Sequence, residues 1–229
     1  MSQAIRTHSQ ATVRTGRYAL IGADPLEARR VWFVLHGYGQ LAARFLRPFD
    51  GLVPDDTCVV APEGLNRFYR ESPKADGSHL QKVGATWMTR EAREDDIADT
   101  LRWLDTVHDA VIGSRAVEAV GVLGFSQGVA TATRWIAHGA VRPSAFVVWA
   151  GGLATDVPQQ ALRERLRQVD VTFIAGDHDP FLTDEARPQA VAALRSIQSQ
   201  AREVTFHGEH VLDPMTLGPL LAGLHKRGA

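Results

Sequence analysis

The chain has 229 residues, of which 45% are hydrophobic and 22% charged, and its formal net charge at pH 7 is −1. This length and balance are typical of one globular domain with an apolar core, so we expect residues 1–229 to form a single domain. A nearly neutral chain offers no electrostatic attraction to nucleic acid or to an anionic membrane surface, and neither is expected as a partner.

The cysteine content and the hydropathy of the chain indicate the cellular compartment that we expect. The single cysteine, Cys58, excludes an intrachain disulfide. The first ten residues lack the apolar run of a signal-peptide core, and no apolar run reaches the 18 residues that predict a membrane-spanning helix. We therefore expect a cytoplasmic protein without a membrane span, and the sequence leaves open whether it forms a homodimer.

Apolar segments rich in β-branched residues predict the strands of one sheet. Two amphipathic extended segments near residues 12–21 come first and predict a leading hairpin. The apolar segments then follow in chain order: 31–37, 57–64, 117–125, 144–152, 169–177 and 202–208. Most of them are continuous apolar runs, which are typical of strands covered on both faces.

Helical spacing of apolar residues appears between these strands. The two clearest sets are Ile97, Leu101, Leu104 and Val107, and then Ala190, Ala193, Leu194 and Ile197. The alternation predicts an α/β fold with a mostly parallel central sheet and helices on both faces. In such sheets ligands bind beyond the carboxyl ends of the strands, so functional residues should directly follow strands.

The segment Gly124-Phe125-Ser126-Gln127-Gly128 joins one predicted strand to a predicted helix without an ordinary loop. A Gly-x-Ser-x-Gly turn in this position is typical of a nucleophilic serine, with the glycines relieving crowding. The alternative is that small residues merely close a tight junction. We favour the nucleophile because the ends of other strands carry suitable partners.

The first long strand ends in His36-Gly37-Tyr38-Gly39, a turn whose backbone amides can face an oxyanion. A plain glycine-rich turn is the alternative. We expect His36 to be hydrogen-bonded within this loop rather than to act as a base.

Two aspartates follow the strand at 169–177, in the segment Gly176-Asp177-His178-Asp179-Pro180. Either carboxylate can orient an imidazole, although aspartates also favour turns, and we interpret Asp177 as a turn-capping side chain. His178 between them suggests a metal site, but no third ligand stands at a recognisable spacing, so no metal is expected.

The last strand ends in Phe206-His207-Gly208-Glu209-His210. We favour His210 as the base because His207 should alternate to another face of the strand end. Serine, then aspartate, then histidine, each just beyond a strand, is the chain order of α/β-hydrolase triads.

Five segments resemble the phospholipase/carboxylesterase family of α/β-hydrolases, which includes acyl-protein thioesterases and many small bacterial esterases. They are LHGYG, APEG, GFSQG, GDHDP and FHGEH, and together they span residues 35–210. GFSQG is fairly specific to this family, whereas WMTRE at 87–91 resembles a bacterial esterase branch more weakly. The resemblance implies an α/β-hydrolase fold without a large lid domain and without a cofactor.

The resemblance also implies roles for individual residues. Matched motif by motif, the nucleophile falls on Ser126, the acid on Asp179 and the base on His210. The oxyanion-hole donors fall on the backbone amides of Tyr38 and Gln127. The implied activity is hydrolysis of small carboxylic esters of short to medium acyl chain through an acyl-enzyme. Thioester or lysophospholipid cleavage at the same site, and ligand binding without catalysis, are the alternatives.

The substrate pocket is less defined by the motifs. Trp87 and Met88 either line an acyl pocket or pack a loop. Phe181 is a third candidate, since it stands where the family often has Val-Pro after the acid. The polar insert at 73–82 lies in a loop, residues 67–86, that we expect to shape the pocket.

Overall fold

The computed structural model describes residues 4–73 and 79–224 of the chain. The strands are β1 (Tyr18–Gly22), β2 (Arg30–Leu35), β3 (Thr57–Pro62), β4 (Asn66–Pro73), β5 (His79–Thr86), β6 (Ala119–Phe125), β7 (Ala145–Trp149), β8 (Asp170–Gly176) and β9 (Arg202–Phe206). The helices are α1 (Ala42–Phe45), α2 (Arg93–Val111), α3 (Gln127–His138), α4 (Gln159–Leu166), α5 (Ala186–Ile197) and α6 (Pro214–Ala222). A short 3₁₀ helix, Arg47–Phe49, follows α1.

The central sheet has seven strands in the order β1-β3-β2-β6-β7-β8-β9. All neighbouring pairs are parallel except β1 and β3, which are antiparallel. The strands near the centre are the most apolar, and Phe33, Val34 and Leu35 of β2 are fully buried. The six strands expected from the apolar segments are confirmed. Five of them are largely buried, as expected of continuous apolar runs covered on both faces, whereas β9 is buried only at Phe206.

Helices cover both faces of the sheet, as the α/β class requires. Apolar residues of α2, α3, α4 and α5 form one core with Phe33 and Val122, and those of α1 and α6 form the other with Val34 and Leu123. Successive strand residues therefore point to opposite cores. No helix among residues 4–73 and 79–224 is long and apolar enough to cross a membrane.

The expected leading hairpin is wrong. Only β1 forms, as an edge strand of the central sheet, and it pairs with β3, with Tyr18 opposite Pro62. Residues 12–15 before it are exposed, and Val13 retains 99% of its accessible surface. They bury no apolar face, so nothing offsets the entropy lost on forming a first hairpin strand.

Residues 67–86, expected as a loop, instead form most of an antiparallel hairpin of β4 and β5, paired from Asn66↔Thr86 to Pro73↔His79. Its tip at 74–78, part of the polar insert, lies outside the described residues. Two backbone hydrogen bonds fasten the hairpin to the loop after β2. The Gly39 amide donates to the Ala85 carbonyl at 2.8 Å, and the Ala85 amide donates to the Gln40 carbonyl at 3.1 Å.

Candidate active site

Ser126 occupies a strained turn between β6 and α3. Its backbone has φ 54° and ψ −119°, a conformation that costs a non-glycine residue about 1–3 kcal/mol. The turn is held by hydrogen bonds from the Ser126 amide to the Trp149 carbonyl (2.9 Å) and from the Val129 amide to the Ser126 carbonyl (3.0 Å). This geometry matches a nucleophile elbow, which exposes a side chain at the end of a strand.

The glycines around Ser126 leave no room for a side chain. A Cβ atom on Gly124 would lie 2.5 Å from Val129 Cα, and one on Gly128 would lie 2.1 Å from the Leu35 carbonyl oxygen. Both obstacles are backbone atoms and cannot rotate away. The elbow therefore depends on Gly124 for the close approach of α3 to β6, and on Gly128 for the close approach of α3 to β2.

Asp179 and His210, the predicted acid and base, lie together. His210 Nδ1 is 2.7 Å from Asp179 Oδ2, and the Asp179 side chain is fully buried. The second carboxylate oxygen accepts a hydrogen bond of 2.9 Å from the Phe181 amide. Because an ionised carboxylate only accepts hydrogen bonds, the proton sits on His210 Nδ1 and Nε2 is left as a base.

The His210 ring lies beside the elbow. Its centroid is 4.8 Å from that of Phe125, the residue directly before Ser126, and 4.8 Å from that of Phe181. The Trp149 indole donates to the Val211 carbonyl at 3.0 Å and so fixes the chain just after the histidine. These contacts bring the end of β6 and the loops after β8 and β9 to one point.

The competing residues Asp177 and His207 form a separate group. His207 Nδ1 is 3.0 Å from Asp177 Oδ2, and the His207 side chain is 86% exposed. Hydrogen bonding from the Gly208 amide, and then from His207, holds the pKa of Asp177 well below its usual range. Asp177 thus pairs with neighbouring loop residues, whereas Asp179 pairs with His210.

Tyr38 and Gln127, the predicted oxyanion donors, face one groove. Gln127 is the first residue of α3, where backbone amides have no partner within the helix and the helix dipole is positive. The amides on both sides of Tyr38 are engaged: Gly37 donates to the Gln40 side chain at 2.7 Å, and Gly39 donates to β5. The Tyr38 turn is therefore held in place from both ends.

His36 is buried and connects two loops. Its Nε2 accepts from the Gly64 amide at 3.0 Å, so Nδ1 carries the proton that reaches the Gly37 carbonyl at 2.8 Å. Burial lowers the pKa of His36 to about 4. Both ring nitrogens of this neutral imidazole are hydrogen-bonded, so His36 holds the loop after β2 against the loop after β3. Neither nitrogen is left free to act as a base.

The groove has a volume of about 580 Å³, within the range of small-molecule sites. Its lining combines aromatic, apolar and cationic side chains: Tyr38, Asn66, Arg67, Phe68, Thr86, Met88, Thr89, Arg90 and Gln127. Among the predicted pocket residues, Met88 lies in this lining. Phe181 is 73% exposed beside His210. Trp87 is buried instead, with its indole donating to the His36 carbonyl at 2.7 Å.

Sequence reasoning missed the hairpin residues of the groove. The Gln127 side chain donates to the Thr86 hydroxyl at 2.8 Å and so ties the elbow helix to β5. Phe68 of β4 packs against Tyr38, with the two rings tilted and their centroids 5.1 Å apart. The β-favouring residues Phe68 and Tyr69 within a polar stretch were the available signal for a strand.

The chain is similar to known hydrolases. The family model described as serine hydrolase (FSH1) matches residues 32–215. Among solved structures, esterase PE8 is 19% identical, with a TM-score of 0.64 over 91% of this chain and 99% of that chain. Acyl-protein thioesterase 2 of Zea mays is 16% identical (TM-score 0.64, 91% and 97%). A phospholipase/carboxylesterase from Dyadobacter fermentans DSM 18053 is 16% identical (TM-score 0.62, 93% and 98%).

At these identities the solved structures establish the α/β-hydrolase fold, which confirms the predicted fold class. The family match agrees with the resemblance found in the motifs. No curated protein sequence matches the chain.

Proposed function

Because the chain belongs to the serine hydrolase (FSH1) family, we propose that it cleaves carboxylic esters of short to medium acyl chain through a Ser126-His210-Asp179 triad. The observation that carries the proposal is the buried Asp179–His210 pair beside Phe125, one residue from the strained Ser126. Strain at a serine is retained where the surrounding structure enforces it, which is common at active sites.

The triad supplies a nucleophile and a proton carrier. A serine hydroxyl is a weak nucleophile at neutral pH until a base takes its proton. His210 Nε2 takes that proton as Ser126 Oγ attacks the ester carbonyl, and the imidazolium then protonates the departing alcohol. Asp179 stabilises the imidazolium and fixes its tautomer. Water, activated by the same nitrogen, then hydrolyses the acyl-enzyme.

Backbone amides stabilise the charge that develops on the carbonyl oxygen. The amides of Tyr38 and Gln127 are the proposed donors, since both residues border the groove and Gln127 begins a helix. Removing one such donor costs about 3 kcal/mol of transition-state stabilisation in other hydrolases. The α3 dipole adds to the same effect.

The groove supports a small ester as the substrate. Phe68 and Met88 offer apolar surface to an acyl chain, and the volume of about 580 Å³ limits its length. Arg67 donates a hydrogen bond to Glu63 at 2.9 Å and shares this carboxylate with Arg17, so its charge is partly offset within the protein.

The test is hydrolysis of p-nitrophenyl esters across an acyl-length series. Wild type should turn over the short and medium esters, and Ser126→Ala should abolish turnover while circular dichroism stays unchanged. His138→Ala is the matched control, because this exposed histidine at the end of α3 lies outside the triad. Equal turnover by wild type and Ser126→Ala, or no turnover of any ester by folded wild type, would contradict the proposal.

A further inference from the structure

Asp177, His178 and His207 form a cluster of metal-ligating side chains outside the proposed triad. One ligand atom from each lies within 4.8 Å of the others. His178 Nδ1 is 2.7 Å from Asp177 Oδ1, and His207 Nδ1 is 3.0 Å from Asp177 Oδ2. Each imidazole thus directs its Nδ1 toward the Asp177 carboxylate.

The third ligand comes from a different strand end than the first two. Sequence spacing offered none beside Asp177 and His178, but β8 and β9 are parallel neighbours, so their carboxyl ends meet. The Asp177 amide donates to the Phe206 carbonyl and the His178 amide to the Gly208 carbonyl, both at 2.9 Å. The backbone therefore sets the spacing of the ligands before any ion binds.

Close packing of the two loops fixes the distance between their backbones. A Cβ atom on Gly176 would lie 2.1 Å from the Gly208 carbonyl oxygen, so the chains approach as closely as glycine permits. The Gly208 amide also donates to Asp177 Oδ1 at 2.9 Å and orients the carboxylate. A hydrogen bond of this kind to a ligating carboxylate is the support that metal sites commonly have.

The donor set selects the kind of ion. Two imidazole nitrogens and one carboxylate oxygen suit Zn²⁺ and similar first-row ions, whereas Mg²⁺ and Ca²⁺ prefer oxygen ligands alone. Metal–ligand bonds of about 2.0–2.2 Å need the ligand atoms to spread to roughly 3.3 Å apart. The His178 and His207 side chains are 64% and 86% exposed and are free to make this small movement.

We propose that Asp177, His178 and His207 bind one divalent transition-metal ion, with water completing its coordination. The ion takes Nδ1 of each histidine and a carboxylate oxygen of Asp177, and it replaces the two N–H protons that these imidazoles now share with the carboxylate. It thereby fastens the loop that carries Asp179 to the loop that carries His210.

The test uses the full-length protein after dialysis against a chelator. Titration calorimetry with ZnCl₂ should show saturable binding of about one ion per chain, and CoCl₂ should give visible absorption typical of nitrogen ligation. His207→Ala and His178→Ala should each weaken binding roughly 10-fold or more. His8→Ala, at another exposed histidine, is the matched control and should bind as wild type does.

Two further measurements separate this proposal from the proposed function. ZnCl₂ should raise the melting temperature of wild type and of Ser126→Ala equally, because the nucleophile is not a ligand. The rise should be lost in His207→Ala, a substitution at a side chain that is 86% exposed. Absence of saturable binding, or unchanged affinity in both histidine variants, would overturn the site whatever the esterase assay gives.

Discussion

His210 Nδ1 lies 2.7 Å from Oδ2 of Asp179, whose side chain is fully buried, while Asp177 two residues earlier is exposed to solvent. Asp179→Asn should therefore lower kcat for ester hydrolysis by about 10³–10⁴-fold, because an amide no longer fixes the productive imidazole tautomer. Asp177→Asn should stay within a few-fold of wild type. Steady-state kinetics on one p-nitrophenyl ester checks both, and the reverse ranking would assign the acid to Asp177.

Gly128→Ala should destabilise the fold by about 1–3 kcal/mol, because its Cβ would meet the Leu35 carbonyl at 2.1 Å and overpacked cores lose stability on this scale. Urea denaturation of the purified variant measures the change. Gly152→Ala is the control, since a Cβ there meets nothing within 4 Å. Equal midpoints for the two variants would show that the elbow tolerates a side chain.

Acid should destabilise the protein through His36, because burial lowers the pKa of this residue from 6.5 to about 4. Between these values the unfolded chain binds the proton and the folded chain does not, so stability falls as the pH drops from 6.5 toward 4. The loss is about 3 kcal/mol for the full shift. His36→Gln, which keeps an acceptor for the Gly64 amide, should flatten this part of the curve of unfolding free energy against pH. An unchanged slope in the variant would assign the acid sensitivity to other groups.

Met88→Trp should shift the acyl-length optimum toward shorter esters, because Met88 lines the groove and a larger side chain reduces its volume. The kcat/KM value should fall most for the longest ester that wild type accepts. Met215→Trp is the matched control, since Met215 on α6 is 84% exposed and lies outside the groove lining. A uniform loss across the series would mean that Met88 supports the fold rather than the acyl chain.

The predictable part of the fold is the part that is buried on both faces. Continuous apolar runs such as residues 31–35 have one stable arrangement, and the buried strands β2, β3, β6, β7 and β8 of the central sheet follow from them. The β4–β5 hairpin was not predicted, because it is a two-stranded sheet in a polar segment. Its residue Tyr69, which lies opposite Val83, is 71% exposed. Exposed strands carry little periodicity, so their pairing is set by tertiary contacts.

In the candidate site, too, the residues that follow buried strands were predicted, and the residues on the exposed hairpin were not. Ser126, Asp179 and His210 follow buried strands, so the motifs and the topology together put them at one edge of the sheet. The sequence did not predict the hairpin residues of the groove lining. Phe68 and Thr86 reach the groove on the β4–β5 hairpin, which was not expected. The association of His207 with Asp177 also depends on the β8–β9 pairing rather than on spacing along the chain. The roles of these residues, the single domain and the cytoplasmic location stay predictions.

The hairpin is hydrogen-bonded through Ala85 to Gly39 and Gln40, and it is bonded through Thr86 to the side chain of Gln127. The hairpin wall of the groove is thus hydrogen-bonded to the turn that contains Tyr38 and to Gln127, the two residues whose amides are proposed to stabilise the oxyanion. We therefore expect a ligand that displaces β4 and β5 to disturb those donors as well. Discrimination between good and poor substrates should consequently appear in turnover as well as in affinity, and hairpin grafts between related enzymes should transfer rate along with selectivity.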